Sequence, residues 1–244
     1  MAKTKIVSPW LVALKRTLIT NRLKGPSIEI VVGTKPQETW CLPKNLISEY
    51  SPFLKAACSL DFKEKEENRI LLPDEDPLIF SHFVEWMYYD EYTPGTAIDG
   101  TPNTVGVRAW VLGDKLMSTA FKNYVTERVY NDYDYKPFGA NSNAKVTTGV
   151  VAFVCNNTVL GAKIRQFYID LVVTNFSSPD RVVGSTEEWD SIMMDFDDVR
   201  KVLLTAIRSK NQLSLVREKG FYMEKETLSK LKSSERKTLS LIHI

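Results

Sequence analysis

Histidine is nearly absent from this chain: His82 and His243 are the only two in 244 residues. A Ser-His-Asp or Cys-His arrangement would have to use His82, which sits in an apolar helical stretch with no nucleophile placed beside it. It reads as a histidine at the edge of a core. Cysteine is scarce too, and Cys41, Cys58 and Cys155 form no CxxC, so the closely spaced ligands of a zinc site are missing. Odd in number and set among apolar residues, the three read as reduced core thiols of an intracellular protein. No apolar run approaches the roughly 18–20 residues needed to cross a bilayer. The opening MAKTKIVSPWLVALKR lacks the small-residue cleavage site of a signal peptide. Gly33 is not followed by the glycines and lysine of a phosphate loop. The acidic run Asp195, Asp197, Asp198 has Arg200 where a calcium loop turns on glycine and Ile207 where it closes on glutamate. That run reads as helix capping. Nothing in the residues supports an enzyme, a cofactor or a metal.

Acidic residues are missing from the N-terminus. Residues 1–27 carry a net +6 and residues 200–244 a net +7, while 28–199 carry −11. Basic ends on an acidic body suit a nucleic acid or an anionic surface, or they solubilise the chain and settle on its own acidic middle. The second reading is adopted, without nucleic acid or membrane as a partner. What remains is ordinary globular composition, 43% hydrophobic and 25% charged, enough for one domain with an appendage or two small domains.

The most informative stretch is Ile28 to Tyr89. Ile28, Ile30 and Val32 alternate as a strand with one buried face, Gly33-Thr34-Lys35-Pro36 turns the chain, and Glu38 to Leu42 returns with Trp40 and Leu42 on one side. From Lys44 to Ser59 the period becomes helical. Ser51-Pro52 divides it into two short helices, serine capping and proline opening the second. Asn68 to Leu72 is a third strand. Asp74 or Asp76 caps the helix that follows, with Pro77 in its first turn and Ile79, Phe80, Phe83, Trp86 and Met87 as a wide inward stripe. Trp86 and Phe83 are expected against the strands and Glu85 in water.

This ordered set resembles a BTB/POZ domain, most closely the variety in filamentous-fungal proteins. IEIVVG, LPKNLISEYSPFLKAA, ILLPDEDPLIFSHFVEWMYYDEY and VRAWVLGDKLM carry the resemblance, which covers residues 27–130. It implies an α+β fold, a small three-stranded sheet flanked by a cluster of short helices, followed by a helical C-terminal extension. Ser27 stands where the family often has aspartate and Pro43 where it often has histidine, positions that in many members build a polar pocket or dimer groove.

Outside that stretch, residues 1–26 read as a basic amphipathic helix ended by Gly25-Pro26, with Leu11, Leu14 and Leu18 on its apolar face. Tyr92 to Gly106 is a polar loop. Val107 to Tyr130 carries two helices, Trp110 and Val111 facing inward on the first, Ser118 capping the second, and Phe121, Val125 and Val129 inward on it. Residues 131–145 read as a linker and 146–219 as the helical extension. Val146–Val159 is open between helix and strand by periodicity, and likeness to fungal relatives favours helix. Ala162–Phe176 is a clearer helix with Ile164, Phe167, Tyr168 and Leu171 on one face. Another helix runs from Asp197 or Asp198 to about Lys219, with Val202, Leu203 and Ile207 inward. Residues 220–244 read as a charged, disordered tail. Its last six residues, LSLIHI, read as the translation of a sequencing adapter, so the natural C-terminus is expected to be missing.

The family resemblance implies a protein–protein interaction module that self-associates as a homodimer and recruits partners. Its concrete form is a substrate adaptor joining a cullin scaffold to a substrate protein, in the cytoplasm or nucleus. The alternative is a transcription-associated oligomerisation protein whose basic ends touch nucleic acid. In the family the N-terminal helix often crosses to a partner subunit, which assigns self-association to Leu11, Leu14 and Leu18. Partner binding is assigned to Tyr88, Tyr89 and Tyr92 at the exit of the Pro77–Tyr89 helix.

Overall fold

A computed structural model describes residues 20–59, 68–93, 104–133, 144–209 and 216–225. Leu11, Leu14 and Leu18, most of the 92–106 loop, the middle of the 131–145 linker and the tail beyond residue 225 lie outside the described residues.

Strands β1 (Ser27–Val32) and β2 (Glu38–Pro43) form an antiparallel hairpin in which Ile28 faces Leu42 and Ile30 faces Trp40. Gly33 turns the chain at φ 76°, and a Cβ there would lie 2.5 Å from the Pro36 carbonyl oxygen, so only glycine fits. Helices α1 (Lys44–Tyr50) and α2 (Pro52–Ser59) follow, split at Ser51 as the sequence predicts. The Ser51 hydroxyl accepts from the Leu54 amide at 3.0 Å. The two helices carry the chain back so that β3 (Arg69–Leu72) pairs parallel to β1, giving the order β2-β1-β3. Ile28, Ile30, Val32, Leu42, Ile70 and Leu72 are buried on one face. The opposite face carries the Glu29–Arg69 ion pair at 2.8 Å and Leu71, 60% exposed.

Helix α3 (Pro77–Tyr89) is capped by Asp76, whose carboxylate accepts from the Leu78 amide at 2.9 Å, and has proline in its first turn. Its expected stripe is buried: Ile79, Phe80, Phe83, Trp86 and Met87. Glu85 is half-buried and accepts from the Thr93 amide at 3.0 Å. Helices α4 (Thr104–Lys115) and α5 (Thr119–Tyr133) pack against each other and bury Trp110, Val111, Phe121, Val125 and Val129. Ser118 does not cap α5 with its side chain: its buried hydroxyl has no partner among the described residues. Helix α5 also runs past the expected boundary at residue 130, because Tyr133 is buried and its hydroxyl donates to the Lys145 carbonyl at 3.3 Å.

The remainder continues the same core. A two-residue parallel ladder joins β4 (Val146–Thr147) to β5 (Val182–Val183), so the stretch expected to be helical begins as strand and becomes α6 (Thr148–Asn157). Helix α7 (Lys163–Asn175) is buried on more than its expected face, with Ile169, Asp170 and Val172 enclosed beside Ile164, Phe167, Tyr168 and Leu171. Helix α8 (Thr186–Asp195) has no counterpart in the sequence reading. Ser185 and Glu188 form a reciprocal capping box that starts it. Helix α9 (Asp197–Arg208) ends well short of Lys219; Leu203 is buried and Val202 packs against the core as expected, Val199 is buried beside them, and Ile207, expected inward, is 67% exposed. A short 3-10 helix (Lys219–Tyr222) lies where the tail was to begin, and Tyr222 is fully buried. One apolar cluster runs from Ile28 to Tyr222. Of the three cysteines, Cys155 is buried, Cys58 half-buried and Cys41 exposed on β2, which corrects the expectation of three core thiols.

Candidate interaction surface

Helix α3 decides which of its exit tyrosines can meet a partner. With Phe83, Trp86 and Met87 turned to the core, the helical period carries Tyr89 outward, and it is 72% exposed. Tyr88 is half-buried with its ring 6.4 Å from that of Tyr89. Asp90 then closes the helix in the left-handed region, φ 61°, donating its amide to the Trp86 carbonyl at 2.9 Å. That turn folds the chain back, and Tyr92 enters the core.

Tyr92 is therefore no exposed anchor; it is 3% exposed. Its ring stacks on His82 at 4.8 Å, meets Tyr124 edge-on at 5.6 Å and lies under the Arg128 guanidinium at 4.5 Å. Its amide donates to the Tyr124 hydroxyl at 3.2 Å, and its carbonyl accepts from Arg128 at 2.6 Å. Burial pushes the Tyr92 phenol up to about 12, with Arg128 opposing. The same burial holds His82 below the ordinary histidine range, favouring the neutral ring. Tyr92 plugs the base of the exit turn, leaving Tyr88 and Tyr89 as the surface pair, with exposed Asp90 and Glu91 beside them.

At the N-terminal side, residues 20–22 are helical and lie on the chain's own fold. Arg22 makes a forked contact with Glu49 at 2.5 and 2.6 Å and donates to the Tyr50 hydroxyl at 2.8 Å. An acidic hollow beside Gly33 is bordered by Glu38, Asp74, Glu75 and Asp76. Two of its carboxylates are already engaged: Glu75 pairs with Lys115 at 2.7 Å, and Asp76 caps α3. No group of His, Cys, Asp and Glu suited to a metal ion occurs among the described residues, and no described helix is long and apolar enough to cross a membrane.

Two polar arrangements escaped the sequence reading. Arg165, 5% exposed, grips Asp198 with both arms at 2.7 and 2.8 Å and donates to the Cys155 and Thr158 carbonyls. Asp170, 1% exposed, accepts from Gln166 and from the Tyr222 hydroxyl, each at 2.7 Å. Sequence separations of 33 and 52 residues hide both from any local pattern.

The mixed α+β arrangement with its small three-stranded sheet is compatible with a BTB-like fold. No protein-family model matches the chain, and no curated protein matches it. Among solved structures, the BTB (Tramtrack and Bric a brac) domain of human Gigaxonin is similar at 14% identity and a TM-score of 0.37, over 52% of this chain and 98% of that one.

Proposed function

We propose that the chain is a non-enzymatic protein–protein interaction module of the BTB type, in its concrete form a self-associating adaptor that joins a cullin scaffold to a substrate protein. The observation that carries this reading is the element order of residues 27–89. A hairpin, two short helices split at Ser51-Pro52, a parallel third strand and a capped apolar helix fall on the residues that carry the family resemblance. The exit of α3 adds the surface such a module needs. Tyr89 offers an exposed ring, Tyr88 a half-buried one, and carboxylates stand beside them.

Co-purification from a cell extract tests the adaptor reading. The wild-type chain retains a cullin, and the variant Tyr89→Ala loses it while melting at the same temperature. A wild-type chain that retains no cullin removes the adaptor reading and leaves the broader interaction module. Light scattering tests self-association: removing residues 1–24, which contain Leu11, Leu14 and Leu18, shifts a dimer toward monomer. An unchanged mass takes those leucines out of the interface.

A further inference from the structure

Residues 216–225 lie across helices α5 and α7, and the features of the groove beneath them are those of peptide recognition. Tyr222 is fully buried, its ring 5.0 Å from Phe167 and 6.2 Å from Tyr130. At the bottom of the slot its hydroxyl donates to Asp170 at 2.7 Å and accepts from the Arg217 amide at 2.9 Å. Phe221 stays 37% exposed, with the Lys163 ammonium 4.2 Å and the Arg217 guanidinium 4.0 Å from its ring. The segment's main chain is gripped independently of its side chains. Asn123 donates to the Glu224 carbonyl at 3.0 Å and accepts from the Glu224 amide at 2.7 Å, and the Tyr130 hydroxyl donates to the Arg217 carbonyl at 3.1 Å. Val216 packs against the core, and two ion pairs add to the attachment: Lys122 with Glu224 at 3.5 Å, partly buried, and Lys219 with Glu127, exposed and of the kind that holds weakly.

Asp170 sets this groove apart from ordinary packing. A buried carboxylate is costly, and a segment needed only to cover apolar surface would meet an apolar residue there. Among the described residues, its donors are Gln166 on its own helix and the tyrosine of the overlying segment. The slot thus reads a hydroxyl on an aromatic ring, a more specific demand than area. Only one side chain of the segment is fully buried, so the segment can lift off by local opening far more readily than α7 unfolds.

We propose that the groove between α5 and α7 is a recognition site for an extended protein segment carrying an aromatic–tyrosine pair. The chain's own residues 216–225 fill it in cis, and a partner protein bearing such a segment displaces them. This goes beyond the interaction module argued above and uses none of the α3 tyrosines.

Fluorescence anisotropy with a labelled synthetic peptide, VREKGFYMEK, tests it on the full chain. A variant with Phe221→Ala and Tyr222→Ala, which empties the slot, binds the peptide at least about tenfold tighter than the wild type, where the tethered segment competes at millimolar effective concentration. The same peptide phosphorylated on tyrosine binds at least about tenfold more weakly, because its charge would meet the Asp170 carboxylate. A folded slot-emptied variant that binds neither peptide, or both equally, overturns the proposal. Should the slot-emptied variant fail to fold, hydrogen exchange on the wild-type chain decides. The Arg217 and Glu224 amides exchange by local opening ahead of the α7 amides, and equal protection overturns the proposal.

Discussion

The Ser51 hydroxyl donates to the Leu116 carbonyl at 2.7 Å across 65 residues of sequence. The same oxygen accepts from the Leu54 amide at the start of α2. One fully buried serine thus caps a helix beside the sheet and holds the end of α4 to it. Helix α5 begins with the opposite situation: Ser118 is also buried, yet its hydroxyl has no partner among the described residues.

These two serines respond differently to alanine. Ser51→Ala leaves a buried carbonyl and a helix-start amide without their partner and costs about 1–2 kcal/mol. Ser118→Ala removes a hydroxyl whose burial is uncompensated and is neutral or stabilising by a few tenths, about 0.5 kcal/mol at most. Urea melts of both variants check this, and equal losses would mean that Ser118 has a partner after all.

The α3 exit predicts a contrast of the same kind. Trp86 touches Tyr50 at 5.1 Å and Phe121 at 5.0 Å, and Tyr92 is enclosed by His82, Tyr124 and Arg128. Trp86→Ala and Tyr92→Ala each cost about 3–5 kcal/mol, the range for a buried aromatic ring cut back to alanine. Tyr89→Ala, at an exposed position, stays within about 0.5 kcal/mol. A Tyr92 variant as stable as the Tyr89 variant would place Tyr92 on the surface.

Between Ile28 and Tyr89 the structure is legible in the sequence because two independent signals agree there. The period changes where the punctuation falls, at Gly33, at Ser51-Pro52 and at Asp76-Pro77, so each element is marked at its ends as well as along its length. Tyr92 is different. Its direction follows from the left-handed turn at Asp90 and from Arg128, 36 residues on, and neither belongs to the pattern of α3. The short β4–β5 ladder joins segments 36 residues apart, beyond the reach of periodicity. Helix α8 did carry a readable signal that the sequence reading missed: the capping box Ser185-Thr-Glu-Glu188 is followed by Trp189, Ile192 and Met193 at i, i+3 and i+4, in a segment only ten residues long. In α9, Val202 and Leu203 do face inward, joined by Val199 one turn earlier, whereas Ile207 lies in the last turn, beyond the packing against α7, and is left in solvent.

The His82–Tyr92 stack gives a sign for pH dependence. Burial lowers the His82 pKa in the folded chain, opposed by Glu85 and Asp76 and reinforced by Arg128. A depressed folded value means the stack contributes fully above the unfolded value of about 6.5 and loses its contribution as pH falls through the folded one. Asp170, whose carboxyl burial raises, works the other way, because its protonation on acidification relieves a cost. Comparing wild type with His82→Phe isolates the histidine. The Tm difference between them widens in the variant's favour from about pH 7 to about pH 5. A constant difference would mean that the folded and unfolded chains protonate His82 at the same pH.

The Arg165–Asp198 pair is the strongest polar link between α7 and the start of α9. Arg165 is 5% exposed and Asp198 is 25% exposed, so the guanidinium depends on its partner more than the carboxylate does. Hydrogen bonding from Arg165 holds the Asp198 carboxyl below its usual range, while burial opposes. Asp198→Ala strands a buried cation and costs about 3 kcal/mol, the low end for such a pair because the Cys155 and Thr158 carbonyls still accept from Arg165. Arg165→Lys costs a similar amount despite keeping the charge, since one ammonium cannot reach both carboxylate oxygens and both carbonyls. Replacing the pair together, Arg165→Met with Asp198→Leu, recovers at least about 1 kcal/mol over Asp198→Ala by removing both charges from the core. Denaturant midpoints for these three variants measure it. A double variant less stable than Asp198→Ala would show that Arg165 is needed chiefly for the two carbonyls, where no apolar side chain can replace it.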